Sequence, residues 1–357
     1  MSRECALANI NLEPTKRWAH SEYSLAYHKD YLAGHTGLAP DDPGLVPAGY
    51  DRFELDLIWS TNDGLVPWAK AGRLTNMGHA SYAADGSDQH AASECPFKSE
   101  EEVWAFDAVE EYGLPDFDEQ VRSYREVIAA ARKNFPNQLT TGGYYKTIVS
   151  GAIQSFGWDM LLTAASDPVR MEPVFDSFFR RTLYHLKAWC ETDVEVLIQH
   201  DDFVWSAGAF MHPDIYRKVI IPRYAELWKV VHEAGKKLLF CSDGNFMEFA
   251  ADVVEAGADG LIFEPCNDFG FMVDHFGKTT CLVGSFVDCR DLTLGHWDAV
   301  RRDIDRTFEK LAECKGAIVA VGNHVPPNIP EAMMDKYFEY LLPKLERRQA
   351  SSGSQHA

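Results

Sequence analysis

The sequence predicts an α/β protein, and within that class a (β/α)8 TIM barrel with an N-terminal helical extension and long early loops. Short apolar runs alternate with amphipathic segments through the second half of the chain, which is typical of a parallel sheet covered by helices. Polar residues follow each apolar run, where a barrel carries its chemistry. An open doubly wound sheet also fits, but no G-x-G-x-x-G follows a predicted strand, which weakens a dinucleotide-binding interpretation.

The first half of the chain is less regular than the second. ECALANINLEP (4–14) predicts a short helix before the barrel, and residues 40–110 predict long connections with one or two early strands. LTTGGYY (139–145) predicts the end of a further strand, and residues 169–191 predict a helix. We expect a single barrel domain over 1–348 and a disordered tail over 349–357, because that tail is small and polar.

The second half repeats one unit of strand, polar tip and helix. Its predicted strands are VEVLIQ (194–199), KLLF (237–240), DGLIF (259–263), TCLVG (280–284) and GAIVAV (316–321). Its predicted helices include 246–257, 298–313 and 330–347, and the first of them stops at a glycine suited to a helix C-terminus.

Composition excludes several classes of protein. The formal net charge of −20 opposes binding to a phosphate backbone, so no nucleic-acid partner is expected. There is no apolar run of membrane-spanning length, so no membrane association is expected. The N-terminus lacks a secretory leader and the eight cysteines form no CxxC pair, which predicts a cytoplasmic protein with reduced thiols.

Cys241 and Asp243 follow a predicted strand two residues apart, so their side chains point the same way. With His324, after the last strand, they supply a thiol, a carboxylate and an imidazole, which are zinc ligands. Glu264 is an alternative ligand. The structural alternative makes Cys241 a small core residue and Asp243 a helix cap.

The sequence HDDFVW (200–205) places two adjacent carboxylates at another strand end. Adjacent residues of an extended chain face opposite sides, so one carboxylate can face the barrel opening while the other braces a loop. We predict Asp202 as a catalytic acid or base, with His200, Asp201 and Trp205 binding substrate. Helix capping and a structural ion pair are the alternative.

Further candidates lie on other predicted strand ends. Glu264 follows four apolar residues and is predicted to be catalytic, with an ion pair as the alternative. His20 and Glu22 can enter the opening from the N-terminal side, or form a capping pair. Tyr144 and Asn323 complete the predicted substrate-binding set, although an aromatic such as Tyr144 can equally be core.

These pieces together resemble the uroporphyrinogen decarboxylase superfamily, and within it the corrinoid-linked methyltransferases. The resemblance spans nearly the whole chain and rests on the order and spacing of several motifs. They are RECALANINLEPTKR, the block from HDDFVW to CSDGN (200–245), EAGADGLIFEP, HFGKTTCLVGSFVD, LTLG and VGNHVPPNIP. The resemblance implies a (β/α)8 barrel with its site in the opening.

The resemblance also implies chemistry. Zinc-dependent methyltransferases of this family use His-x-Cys on one strand and a distant Cys on the last strand. This chain has Cys241 and Asp243 at the first pair and Asn323 or His324 near the last, so the ligand set departs from the family's, although zinc accepts all these types.

The implied reaction moves a methyl group from a small methylated donor, with a methoxyaromatic favoured, to the cobalt of a corrinoid. The D-x-H-x-x-G corrinoid motif is missing from the sequence, its nearest match being 88–93, so the corrinoid is expected on a separate partner protein. The alternatives are decarboxylation of a porphyrinogen-like or other small carboxylic acid, and a metal-free binding homologue. Formation of a homodimer is left open.

Overall fold

The structure is a computed structural model that describes residues 2–60, 72–75, 81–82, 88–89, 94–322 and 324–347. Its eight barrel strands are short and lie in the following ranges. They are β1 (Ala19–His20), β2 (Leu57–Ile58), β3 (Leu139–Thr140 and Gly142–Tyr145), β4 (Val196–His200), β5 (Lys237–Ser242), β6 (Gly260–Phe263), β7 (Cys281–Val283) and β8 (Ala317–Val319). Ser81–Tyr82 and Asp88–Gln89 form a small antiparallel pair outside this set.

The strands follow one another in barrel order, and all neighbours are parallel. One sheet runs β1-β8-β7-β6-β5-β4-β3, where β3 contributes Gly142–Tyr145. The first piece of β3 pairs with β2. The N–H of Asp56, just before β2, donates to the carbonyl of His20 in β1 at 2.7 Å, which links the remaining neighbours. The predicted (β/α)8 barrel is therefore confirmed.

Sixteen α-helices lie in the described ranges. They are α1 (Arg3–Ile10), α2 (Lys29–Thr36), α3 (Leu45–Arg52), α4 (Glu100–Trp104), α5 (Ala108–Tyr112), α6 (Phe117–Asn134), α7 (Val149–Phe156), α8 (Trp158–Ala164), α9 (Pro168–Cys190), α10 (Pro213–Ile215), α11 (Ile221–Glu233), α12 (Ala250–Glu255), α13 (Phe269–Phe276), α14 (Cys289–Thr293), α15 (Trp297–Leu311) and α16 (Glu331–Leu341). A π-helical turn, Tyr216–Ile220, joins α10 to α11.

The predicted helices match these bounds closely in most cases. The helix expected over 169–191 is α9, and the one expected over 298–313 is α15. The last predicted helix is shorter than expected, because α16 ends at Leu341 and a 3₁₀ turn, Leu342–Lys344, follows. The predicted tail, 349–357, lies outside the described residues.

Two apolar clusters stabilise the barrel, one inside the ring of strands and one between strands and helices. The inner cluster takes alternate residues of the strands and two residues of α1, which closes the end where the strands begin. Its members are Ala6, Ile10, Ala19, Leu57, Leu139, Val196, Ile198, Leu239, Cys241, Ile262, Cys281, Val283 and Ile318. The opening at the carboxyl ends of the strands, called the mouth below, is where polar side chains replace this cluster.

Within the described ranges, no helix combines the length and the apolar composition needed to cross a bilayer.

The outer cluster is the larger of the two and is rich in aromatic side chains from both layers, such as Tyr144 of β3 and Trp189 of α9. The strands therefore carry apolar residues on both faces, as expected of a parallel sheet covered by helices.

Candidate active site and metal centre

The mouth brings together one histidine and two aspartates from neighbouring strand ends. His200, Asp202 and Asp243 each offer one ligand atom, and these atoms lie within 4.8 Å of one another. His200 Nε2 lies 2.9 Å from Asp202 Oδ1, and the N–H of Asp243 donates to the same oxygen at 2.8 Å. His200 is buried and both aspartates are partly exposed, so the group is open toward the mouth.

Strand periodicity explains why these three side chains converge. His200 and Asp202 continue the inward-facing series of β4, which includes Ile198. Asp243 continues the inward series of β5, which includes Cys241. The strands are in register with His200 opposite Cys241, so the next inward positions, Asp202 and Asp243, are also neighbours.

The charge state of His200 follows from its surroundings. Burial works against a charged imidazole, but Cys241 and Asp202 more than offset it and raise the pKa of His200 well above its ordinary value. The histidine and Asp202 therefore form a hydrogen-bonded ion pair when no metal is bound. One imidazole and two carboxylates are also a donor set that zinc accepts, with a fourth position left for substrate.

Glu264 extends this acidic group along the mouth. It follows β6 on the inward series of Ile262, and its Oε2 accepts from the N–H of Gly244 at 2.8 Å. Gly244 has φ +83°, and a Cβ there would lie 2.6 Å from the carbonyl oxygen of Val204. This glycine thus lets the β5 loop pass under the β4 loop and approach Glu264. Burial and Glu264 raise the pKa of Cys266 to about 12, so this thiol stays protonated.

The converging group differs from the predicted ligand set in two of three members. Asp243 belongs to the group, but Cys241 lies one inward position deeper, in the apolar inner cluster, with 1% exposure. His324, after β8, is buried but is not among the three residues whose ligand atoms converge. His200 and Asp202 converge with Asp243 instead, because side chains from adjacent strands in register lie closer together than side chains from distant strands.

Asp201 faces away from the mouth and holds α7. Its two oxygens accept from the N–H groups of Ile148, Val149 and Ser150 at 2.7–3.2 Å, where α7 begins. The hydroxyls of Ser150 and Tyr224 donate to it at 2.7 and 2.6 Å. The residue is fully buried, so the predicted substrate-binding role is corrected to a structural one. Asp202 faces the mouth, so the two carboxylates lie on opposite sides of the chain, as their alternation predicted.

His20 and Glu22 form a buried network on the outer side of β1. His20 Nδ1 lies 3.0 Å from the carbonyl of Phe53, and its Nε2 lies 3.1 Å from Glu22 Oε1. Glu22 accepts further from the Val321 N–H at 3.0 Å and from the Tyr337 hydroxyl at 2.6 Å. Both ring nitrogens and both carboxylate oxygens are thereby engaged, so the pair joins β1 to the end of β8 and to α16 instead of reaching substrate.

The two predicted aromatic wall residues lie in different places. Tyr144 is in the outer cluster, edge-on to His185 of α9 with ring centroids 5.5 Å apart, which corrects its placement at the mouth. Burial raises its pKa to about 12. Trp205 lies on the loop after β4, is 43% exposed, and packs against Trp158 and Phe210 at centroid distances of 5.5 Å each. This three-ring cluster stands beside the mouth.

Two residues complete the comparison with the sequence predictions. Asn323, predicted to bind substrate, lies outside the described residues. Lys146 is a further residue near the mouth that the sequence did not single out. It follows β3 and is 3% exposed. Its φ of +60° is a conformation that non-glycine residues rarely adopt. The signal available in the sequence was a lysine directly after the apolar-aromatic run GGYY.

The matching family model decides the family of this chain. Residues 90–341 match the model described as uroporphyrinogen decarboxylase (URO-D). The chain belongs to the uroporphyrinogen decarboxylase family. This confirms the resemblance inferred from the order of motifs, at the level of the family. A comparison with curated protein sequences gave no match.

One solved structure confirms the fold of this URO-D family member. A methyltransferase from Methanosarcina mazei is similar over 96% of this chain and 98% of its own, with 16% identity and a TM-score of 0.61. A D-psicose 3-epimerase from Clostridium cellulolyticum H10, with 13% identity, covers 64% of this chain and 85% of its own at a TM-score of 0.36. A likeness that low carries no argument about this chain.

Proposed function

We propose that this chain is a methyltransferase that moves a methyl group from a small methylated donor to the cobalt of a corrinoid carried by a separate protein. The observation that carries the proposal is the convergence of His200, Asp202 and Asp243 at the mouth of a URO-D family barrel. The full-length likeness to the methyltransferase fold supports it. We infer that these three residues hold a zinc ion.

Zinc, when bound, polarises the donor oxygen or nitrogen and so stabilises the leaving group. The protein's own residues do the rest. Glu264, next to Asp243 across the Gly244 N–H, is placed to hold or give a proton at the mouth. Cys266, held as a thiol, contacts the Glu264 carboxylate with its Sγ 3.7 Å from Oε2 and helps to orient it.

We favour a methoxyaromatic donor because of the three-ring cluster. Trp205 comes three residues after Asp202 and keeps 43% of its surface exposed, while Trp158 and Phe210 fix its ring. An aromatic donor can stack on this ring with its methoxy group directed to the carboxylates. A methylamine gains no comparable contact, although the acidic mouth would attract its charge.

The exposed apolar side chains support a protein partner at the mouth. Five large apolar side chains are exposed among the described residues, and each lies between a barrel strand and the helix that returns from it, or at the start of that helix. They are Tyr27, Leu114, Val169, Trp205 and Leu294. Because such helices begin at the carboxyl end of the barrel, all five lie on the face that carries the mouth. A partner that delivers its cobalt there would cover them.

The decisive experiment measures methyl transfer and metal content together. Purified protein loaded with zinc is mixed with cob(I)alamin and a methoxyphenol, and methylcobalamin is followed by absorbance. We expect one zinc per chain and methyl transfer in the wild type. Asp243→Asn should lose the zinc and lower the rate about 100-fold or more. Asp288→Asn is the matched control, because Asp288 is paired with Arg290 outside the converging group. This variant should keep both the zinc and the rate of methyl transfer.

The second candidate is decarboxylation, which the matched family model favours by its description. The acidic mouth and the net charge of −20 work against a polycarboxylate substrate. Carbon dioxide release from a porphyrinogen without cobalt would support this candidate. A metal-free protein that transfers methyl from none of a methoxyaromatic, a methylamine and a methylthiol would overturn the methyltransferase proposal and leave a binding homologue.

A further inference from the structure

Cys241 is a buried thiol next to the candidate metal group that the proposed chemistry leaves without a role. It is the residue directly opposite His200 in the β4–β5 ladder, and the two side chains interact with each other. Both side chains face into the barrel, and Cys241 is 1% exposed. The thiol and the imidazole are therefore held together by two adjacent strands in register.

A metal-bound histidine needs a partner for its other ring nitrogen. Nε2 of His200 faces Asp202, so it is the nitrogen that can join Asp202 and Asp243 at a metal. The second nitrogen must then carry the proton, and the group that accepts this proton fixes both the tautomer and the plane of the ring. Sulfur is a weak acceptor, but a buried position with no competing water favours the contact.

We propose that Cys241 is a positioning residue that accepts a hydrogen bond from His200 and so orients this histidine toward zinc, without binding the metal itself. This inference rests on the proposed zinc site. It differs from a thiolate ligand, because the convergent group contains His200, Asp202 and Asp243 and leaves the thiol out. Cys241 instead packs with Ile198, Leu239 and Ile262 in the apolar inner cluster beneath the group.

The test compares zinc affinity in three variants by competition with a chromophoric chelator. Cys241→Ala removes the acceptor and should weaken zinc binding 10–100-fold. Cys241→Ser replaces the sulfur with an oxygen acceptor and should restore the affinity to within about threefold of the wild type. The matched control is Cys281→Ala, since Cys281 is an equally buried thiol of the same inner cluster and should leave zinc affinity unchanged.

Cobalt(II) in place of zinc adds a spectroscopic readout that a purely structural role would not affect. A thiolate ligand gives an intense sulfur-to-cobalt absorption in the near ultraviolet, so we expect this band to be weak in the wild type and unchanged in Cys241→Ser. Loss of a strong band in Cys241→Ser would make Cys241 a ligand and overturn the inference. Wild-type zinc affinity in Cys241→Ala would also overturn it.

The outcomes also separate this inference from the proposed function. Zinc binding by the wild type, with equal affinity in Cys241→Ala, overturns the positioning role and leaves the metal site standing. A wild type that binds no zinc overturns the zinc site and the positioning role together. Methyl transfer to cob(I)alamin is measured separately and tests the proposed function.

Discussion

Two adjacent carboxylates show how strongly a single residue's direction decides its role. Asp201 accepts from three backbone N–H groups and two hydroxyls in the outer layer, whereas Asp202 pairs with His200 at the mouth. They are neighbours in sequence and identical in chemistry. Because adjacent residues of an extended chain point to opposite sides, Asp201 stabilises the packing of α7 and Asp202 faces the candidate site.

Asp201→Ala should destabilise the protein strongly, because it leaves buried donors of α7 and Tyr224 without an acceptor. We expect the free energy of unfolding to fall by about 3–5 kcal/mol. Urea denaturation followed by circular dichroism measures this change. Asp118→Ala is the control, at an exposed aspartate, and should cost less than about 1 kcal/mol. Similar losses in both variants would contradict the structural role of Asp201.

At the scale of single elements, α9 carries two buried titratable side chains. His185 and Arg181 on α9 are both buried, and the Tyr124 hydroxyl of α6 lies 3.0 Å from His185 Nδ1. His185 Nε2 has no hydrogen-bond partner within the described part of the chain. Burial and the nearby Arg181 lower the pKa of His185 from 6.5 to about 3.

This helix should therefore give a distinct pH dependence of stability. The folded state keeps His185 neutral, so the unfolded state binds more protons between pH 6.5 and about 3. The stability from this group is complete above pH 6.5 and falls, by at most about 1.4 kcal/mol per pH unit, as the pH drops through that range.

The measurement is the unfolding free energy from pH 7 downward in wild type and His185→Gln. The variant should lose stability less steeply on acidification, even if its stability at neutral pH is lower. His275→Gln, at an exposed position, is the control and should keep the wild-type slope. Equal slopes in wild type and His185→Gln would contradict a neutral buried histidine.

At the scale of the whole molecule, the excess of acidic residues has the largest long-range electrostatic effect on stability. Fifty-four acidic residues face 34 basic ones, and the net charge is −20. Most ion pairs of the described residues are at least partly exposed, so each contributes little to stability. Repulsion among the excess carboxylates is then the larger long-range effect and opposes the compact state.

Salt should therefore stabilise this protein. Raising sodium chloride shortens the Debye length from about 30 Å near 0.01 M to about 10 Å near 0.1 M and screens the repulsion. We expect the midpoint of thermal unfolding to rise by a few degrees, on the order of 2 °C per kcal/mol gained. Scanning calorimetry at both salt concentrations measures the shift. A midpoint that falls with salt would show that the surface ion pairs outweigh the net charge.

The order of motifs in the sequence resembles a known family, which favoured the barrel over an open sheet and predicted a site at its mouth. The sequence by itself determined the α/β class and the positions of most strands and helices. It did so because apolar periodicity reports which element a segment forms and which residues of one strand face the same way. It also identified Asp243, His200, Asp202 and Glu264 as the polar residues that follow strands.

Only the tertiary structure decided which of these residues meet. Alternation along a strand leaves open which face is the inner one, and it says nothing of the register between strands. Asp201 packs against α7 and Tyr144 packs against α9, so both residues lie in the layer between strands and helices. The register of β4 with β5 placed His200 beside Cys241 and brought Asp202 to Asp243, because neighbouring strands hold equivalent residues within reach of each other.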